Sequence, residues 1–179
     1  DLRVLPSPMI TQTPLVSIVT PSFNQVRYLE QTMCSVLEQD HPRIEYIVMD
    51  GASKDGSVDI IKKYESKLTY WTSEKDSGQA EAINKGLARV NGEIVAWLNS
   101  DDVYRPGALD KIAKAFQDDP QSDVVYGNLY WVDSDGEKLA EKRQTPFSKL
   151  GYLYGGADLQ QPATFWRRSL FDRSGGLDP

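Results

Sequence analysis

Gly92-Glu93-Ile94-Val95-Ala96-Trp97-Leu98-Asn99-Ser100-Asp101-Asp102 (GEIVAWLNSDD) carries five apolar residues in a row and then a polar turn ending in paired carboxylates. A short apolar run bounded by turn residues reads as a strand buried on both faces. Just upstream, Ala80, Ile83, Leu87 and Val90 recur at helical spacing, and Asn91-Gly92 stops that helix. Downstream, Pro106 is placed to open a second helix whose inner stripe is Leu109, Ile112, Ala113 and Phe116. A buried strand between two amphipathic helices is the repeating unit of a parallel sheet with helices packed on it.

The same rhythm extends in both directions. Residues 15–20 (LVSIVT) read as a first strand stopped by Pro21, and residues 44–49 (IEYIVM) as a second ending at Asp50-Gly51. Residues 68–72 (LTYWT) make a third and 124–126 (VVY) a fifth. Tyr28, Leu29, Thr32, Met33, Val36 and Leu37 mark a helix after the first strand; Val58, Ile61 and Tyr64 mark one after the second. Beyond Gly127 the pattern changes. Residues 129–132 and 138–141 flank Ser134-Asp135-Gly136 as a hairpin, residues 150–154 suggest a short helix, and residues 163–166 (ATFW) a further strand. The expectation is an α/β chain with a mostly parallel mixed sheet and helices on both faces. Residues 1–13, with Pro6 and Pro8, form an extended lead-in, and one continuous domain follows.

Composition removes several function classes. Lys plus Arg total 20 against 26 for Asp plus Glu, so the formal charge is −6, and no basic stripe offers itself to a phosphate backbone. Nucleic acid is not an expected partner. The lone cysteine, Cys34, lies in a helical pattern beside Met33 and reads as packing; it permits no internal disulfide. The lone histidine, His41, stands in a turn and cannot by itself build a zinc centre or a catalytic triad. Neither a Walker sequence nor Gly-x-Gly-x-x-Gly occurs, which argues against a kinase, a GTPase or an NAD enzyme. No apolar run is long enough to cross a membrane. The chain starts at Asp1 rather than Met and stops at Pro179 within a continuing pattern, so it reads as a fragment.

Ligands of open parallel sheets bind at the carboxyl ends of the strands. After the first strand stands Pro21-Ser22-Phe23-Asn24, and after the second Asp50-Gly51-Ala52-Ser53-Lys54-Asp55-Gly56. Glu74-Lys75-Asp76-Ser77-Gly78-Gln79 follows the third, and Asn99-Ser100-Asp101-Asp102 the fourth. Four successive strands thus deliver acidic, small and glycine-rich turns to one edge. Adjacent carboxylates repel, and a divalent cation removes that cost. Mg²⁺ or Mn²⁺ takes one or two carboxylates and fills its remaining positions with water and substrate phosphates. Asp101-Asp102 suits such an ion; taken by itself the pair reads more readily as a turn cap, and its place after a buried strand among the other loops turns the reading toward a metal.

Taken in order, residues 16–24 (VSIVTPSFN), 45–57 (EYIVMDGASKDGS), 77–86 (SGQAEAINKG) and 92–102 (GEIVAWLNSDD) resemble the family 2 glycosyltransferases of GT-A fold, in that family's spacing and of a non-processive type. The likeness runs from about Leu15 to the last residue. It implies a nucleotide-sugar-binding subdomain over 14–127 and a partial acceptor-side subdomain over 128–179. It implies inverting, metal-dependent transfer from a nucleoside-diphosphate sugar to a hydroxyl of a saccharide or lipid-linked acceptor, for cell-surface polysaccharide or glycoconjugate synthesis. Asp102 would ligate the cation (Mn²⁺ or Mg²⁺), while Asp101 would hold the sugar or ribose. Thr20, Pro21 and Phe23 would form the nucleotide wall; Asp50 and Ser53 would meet base and ribose. Asp76, Gly78 and Asn84 would flank the nucleoside and diphosphate. A cytoplasmic location, with peripheral association at the inner face of the membrane, belongs to the same expectation.

Two departures stand out. Many members carry a second carboxylate after the second strand that reads uracil, and here that place is Gly51. The family's general base usually follows a Gly-Gly-Phe/Leu-Asp stretch; Gly175-Gly176-Leu177-Asp178 is present and the chain then stops, which puts the base beyond Pro179 and leaves Asp158 as the candidate within the chain. The segment from Gln160 to Arg168 (QQPATFWRR) resembles a non-processive subgroup and would lie near the acceptor cleft. A sugar nucleotidyltransferase is one rival, but Pro21 to Gln25 lacks the glycine and lysine that hold a triphosphate. A non-catalytic nucleotide- or carbohydrate-binding fragment is the other, and it leaves Asp101-Asp102 without a purpose.

Overall fold

The computed structural model describes residues 13–154 and 159–178. Along the chain run β1 (Val16–Ser22), α1 (Leu29–Leu37), β2 (Ile44–Asp50), α2 (Ser57–Tyr64), β3 (Tyr70–Ser73), α3 (Gln79–Leu87), β4 (Ile94–Trp97), α4 (Ala108–Asp118) and β5 (Val124–Tyr126). A hairpin of β6 (Leu129–Val132) and β7 (Lys138–Lys142) follows, then α5 (Lys149–Leu153), β8 (Thr164–Arg167) and α6 (Arg168–Ser174). The main sheet has the order β3-β2-β1-β4-β8-β5. Pairings of β1 with β2 and β4, and of β2 with β3, are parallel, whereas β8 runs antiparallel to both β4 and β5. The strand order reverses between β1 and β4, and a crevice opens at such a switch point, outside the carboxyl ends of the strands.

Each face of the sheet buries its own helices. Val16 and Ile18 of β1 join Leu29, Met33 and Val36 of α1, Ile61 of α2, and Leu109 and Phe116 of α4 in one core. On the opposite face Val19, Ile47 and Met49 meet Ala82, Ile83 and Leu87 of α3, with Phe171 of α6 and Leu177 packed at the margin. Helix α3 lies close on the sheet because residue 86 is glycine: a Cβ there would run into the Val19 side chain and come within 3.1 Å of Met49 Cγ. Below the sheet, at the end remote from the crevice, buried Glu45 accepts hydrogen bonds from Ser17 Oγ (2.5 Å), Asn91 N (2.7 Å) and Asn91 Nδ2 (2.8 Å). That cluster ties β1, β2 and the approach to β4 together.

Three local outcomes differ from the sequence reading. β1 does not stop at Pro21 but runs through it to Ser22. β4 pairs with β1 only as far as Val19, so from there β1 has a free side on which a residue without N–H is tolerated. Pro106 precedes α4 by a turn, and the helix begins at Ala108 after Gly107 at φ 71°. The seven residues of α6 are too few to show helical periodicity and were not anticipated. The boundary expected at 127/128 falls between β5 and β6, yet β8 from the second stretch inserts between β4 and β5, so both stretches share one sheet.

Candidate active site

Asp50, at the tip of β2, is buried and accepts hydrogen bonds from Ser53 N (2.9 Å), Ser53 Oγ (2.5 Å) and Ser73 Oγ (2.6 Å). It therefore knots the β2 loop to the end of β3. The β1 and β2 loops are zipped by four further bonds. Asn24 N donates to Ser53 Oγ (2.8 Å), Lys54 N to Asn24 Oδ1 (3.0 Å), Gln25 N to Ser57 Oγ (3.1 Å) and Val26 N to Asp55 Oδ2 (2.8 Å). Asn24 and Ala52 adopt positive φ, 52° and 65°, a conformation that side chains other than glycine rarely take and that clusters at functional loops.

The β3 loop closes on the same place. An added Cβ at Gly51 would lie 2.9 Å from Asp76 Oδ2 and 3.2 Å from Phe23 Cδ2, so Asp76 and Phe23 flank the bare Cα of residue 51. The position at which many members of the resembled family carry a carboxylate is here overhung by the carboxylate of Asp76. Asp76 also accepts from Gly78 N at 3.0 Å. Phe23 is 63% exposed, an aromatic face left open to solvent beside two acidic loops.

The β4 loop completes the edge. Asn99 Nδ2 donates to Asp102 Oδ2 (3.1 Å), and Asn99 Oδ1 accepts from Gln79 Nε2 (2.8 Å) at the start of α3. Asp102 is half-buried and Asp101 exposed. Burial, then the charge of Asp101, push the Asp102 carboxyl above the usual Asp range, opposed by the amide of Asn99. A carboxylate in that position gains most from a cation. Among the described residues no three His, Cys, Asp or Glu side chains gather as a protein-only metal cage. The donor set fits an ion that takes few carboxylates and completes its shell with water and phosphate oxygens.

Beside this row of loops opens a cavity of about 430 Å³, lined by Gln79, Ala80, Ile83, Trp97, Asn99, Gln161, Leu177 and Asp178. Asn84, expected at the nucleotide, instead clasps the backbone of Leu177, donating from Nδ2 to its O (2.8 Å) and accepting at Oδ1 from its N (2.9 Å). Thr20, expected in the nucleotide wall, is buried with its Oγ1 3.0 Å from Tyr46 Oη, and Pro21 beside it is buried too. Phe23 and Asp76 meet over Gly51, Asp50 bonds Ser53, Asp76 bonds Gly78, and Gln79 next to Gly78 reaches Asn99 and through it Asp102, with Asp101 its neighbour in the chain. Asp158 lies outside the described residues. Gln79, Trp97, Gln161 and Asp178 line the cavity without having been singled out; Gln161 lay within the segment assigned to the acceptor cleft. Among the described residues no helix is long and apolar enough to cross a membrane.

Comparison with known proteins places the chain among glycosyltransferases. A putative teichuronic acid biosynthesis glycosyltransferase of Bacillus subtilis, TuaG, is 43% identical over 106 residues, covering 58% of this chain and 42% of its own length. An uncharacterized glycosyltransferase of Mycobacterium tuberculosis is 32% identical over 171 residues, 94% of this chain and 64% of its own. The chain thus spans between about two fifths and two thirds of the length of these relatives. In structure, S. aureus TarS 1-349 in complex with UDP-GlcNAc matches with a TM-score of 0.70 at 25% identity, over 90% of this chain and 47% of that one. The mannosyltransferase PcManGT from Pyrobaculum calidifontis, in complex with GDP-Man and Mn²⁺, matches in fold with a TM-score of 0.71 at 22% identity, over 94% and 48%. The profile of one family fits residues 17–173, nearly the whole described sheet and its strand-end loops, and the chain therefore belongs to glycosyl transferase family 2.

Proposed function

We propose that this chain forms the donor-binding part of a glycosyltransferase that moves a sugar from a nucleoside-diphosphate sugar to an acceptor hydroxyl, with inversion and with Mn²⁺ or Mg²⁺. The carrying observation is the unbroken contact of the four strand-end loops: Asn24 with Ser53, Gly51 with Asp76 and Phe23, Gln79 with Asn99, and Asn99 with Asp102. The donors bound by TarS and by the mannosyltransferase support a nucleoside-diphosphate sugar, and the Mn²⁺ of the latter complex supports the cation. The likeness to TuaG, a putative teichuronic acid biosynthesis glycosyltransferase, supports a role in polymer synthesis; the reading extends it to a saccharide or lipid-linked acceptor on the cytoplasmic side of a membrane.

In this reading Phe23 offers its open face to the base, and Asp76 accepts from an N–H on the base edge. Asp50 and Ser53 hold the β1 and β2 loops in register around the ribose. Asp102, with Asp101 beside it, would hold the cation, which when bound would supply positive charge against the departing diphosphate. The cavity next to Asn99 receives the reacting sugar and aligns it. Transfer then needs a carboxylate to take the acceptor proton. Asp178 is the acidic side chain lining that cavity, and the reading puts the general base in the acidic motif that follows the Gly-Gly-Leu-Asp stretch in the family. Calorimetry with UDP, GDP, dTDP and CDP, each with and without Mn²⁺, tests the reading. At least one should bind tenfold or more tightly with Mn²⁺, a gain of about 1.4 kcal/mol or more; equal affinities with and without the ion across the panel would contradict it.

A further inference from the structure

Gln161 stands in a single 3-10 turn, Gln161–Ala163, that leads into β8 and lies 62 residues from Asn99 in sequence. Its Nε2 donates to the backbone oxygen of Trp97 at 2.7 Å, and its Oε1 accepts from Asn99 Nδ2 at 3.0 Å. Asn99 gives its second amide proton to Asp102 Oδ2 at 3.1 Å and receives Gln79 Nε2 on Oδ1 at 2.8 Å. The polarity of this chain of amides is anchored at the buried end by a backbone carbonyl and matches the acceptor-only carboxylate at the other. A backbone carbonyl can only accept, so Gln161 must turn its NH₂ to Trp97 and its oxygen to Asn99. Asn99 must then turn its own NH₂ toward Gln161, and the same NH₂ faces the carboxylate of Asp102. Without Gln161 the orientation of the Asn99 amide is left to the exposed contact with Gln79 and to Asp102 itself, and the NH₂ loses the partner that fixes its place beside the carboxylate.

We propose that Gln161 is a positioning residue, whose side-chain amide relays the fixed polarity of the Trp97 carbonyl through Asn99 to the cation-holding carboxylate Asp102. The inference rests on the functional reading above, because it assigns Asp102 to the cation. It also gives the segment before β8 a role at the donor side of the crevice, in addition to any contact with acceptor.

The test is a double-mutant cycle read by calorimetry with Mn²⁺ and with UDP and GDP as probes. The measured quantity is the ratio of affinities with Mn²⁺ and with EDTA. Gln161→Met keeps the bulk of the side chain and removes both hydrogen bonds; it should lower that ratio about two- to tenfold, the effect of losing one hydrogen bond. Its affinity in EDTA should stay within about twofold of the parent. In an Asn99→Ala background the same substitution should change the ratio by less than about twofold, because its effect passes through Asn99. Gln161→Ala removes the same bonds without an apolar end and serves if Gln161→Met does not melt cooperatively. An unchanged ratio in Gln161→Met, or an equal loss in both backgrounds, overturns the positioning role and leaves the functional reading standing. A parent chain with no Mn²⁺-dependent gain for either nucleotide overturns both.

Discussion

Asp102 and Gly51 are the residues at which chemistry and packing conflict most openly. Asp102 has its carboxyl raised by burial and by the charge of Asp101, so ionising it works against the fold. A group of raised pKa in the folded chain is a carboxylate whose cost is absent below the ordinary Asp value of about 3.9 and fully present once pH has risen through its folded value. Asp102→Asn should therefore raise the melting temperature at pH 7 in EDTA, and the advantage should vanish on acidification below that ordinary value or on adding Mn²⁺ with nucleotide. Gly51 has no room for a side chain, since Asp76 Oδ2 would lie 2.9 Å from its Cβ. Gly51→Ala should displace the Asp76 carboxylate and weaken nucleoside-diphosphate binding about three- to tenfold, with and without Mn²⁺ alike, the scale of one disturbed hydrogen-bonding group. Titration calorimetry reads both ligand effects. The candidacy of Asp101 and Asp102 was legible from the sequence because paired carboxylates after a buried strand have few other uses. The overhang of Asp76 on Gly51 was not, because 25 positions separate the two and only the β2–β3 pairing brings them together.

At the scale of elements, two devices hold the sheet so that its loops meet. Gly86 lets α3 lie against β1, and α3 in turn carries Gln79 to Asn99 and Asn84 to Leu177. Gly86→Ala would drive a methyl into Val19; chemical denaturation should show a loss of about 1–3 kcal/mol, the usual cost of overpacking a core. Glu45 is the second device. Burial raises its carboxyl pKa, but hydrogen bonds from Ser17 and from the Asn91 side chain and backbone outweigh that and leave it lowered. The stability it supplies is present above the ordinary Glu value and is lost as pH falls through the lowered folded value. Glu45→Gln should accordingly destabilise the chain at pH 7, and the gap to the parent should close as both are titrated toward acid. The strands and amphipathic helices were legible as apolar runs and helical stripes. The extent of β1 was not: whether a strand survives a proline depends on how far its neighbour reaches, and Val19 marks where β4 leaves β1. α6 escaped notice because two turns are too short for a stripe to repeat.

For the molecule as a whole, the strand order β3-β2-β1-β4 sets the first four loops side by side, and the turn that leads into β8 brings Gln161 to the far flank beside Trp97. The α/β class and the mostly parallel sheet were legible from the alternation of elements. The antiparallel β8 between β4 and β5 is a long-range choice that no local pattern records, and for the same reason the amide chain from Trp97 to Asp102 could not be read in advance. On the proposed function these loops surround one bound cation and diphosphate. Mn²⁺ broadens the NMR signals of nuclei near it, so amide spectra recorded with UDP or GDP, before and after substoichiometric Mn²⁺, test that claim most directly. Asn99, Ser100, Asp101 and Asp102 should lose intensity first, followed by Gly78 and Ser53, and Asp102→Ala should abolish the pattern. Broadening centred on another part of the surface, or the same pattern in Asp102→Ala, would contradict it.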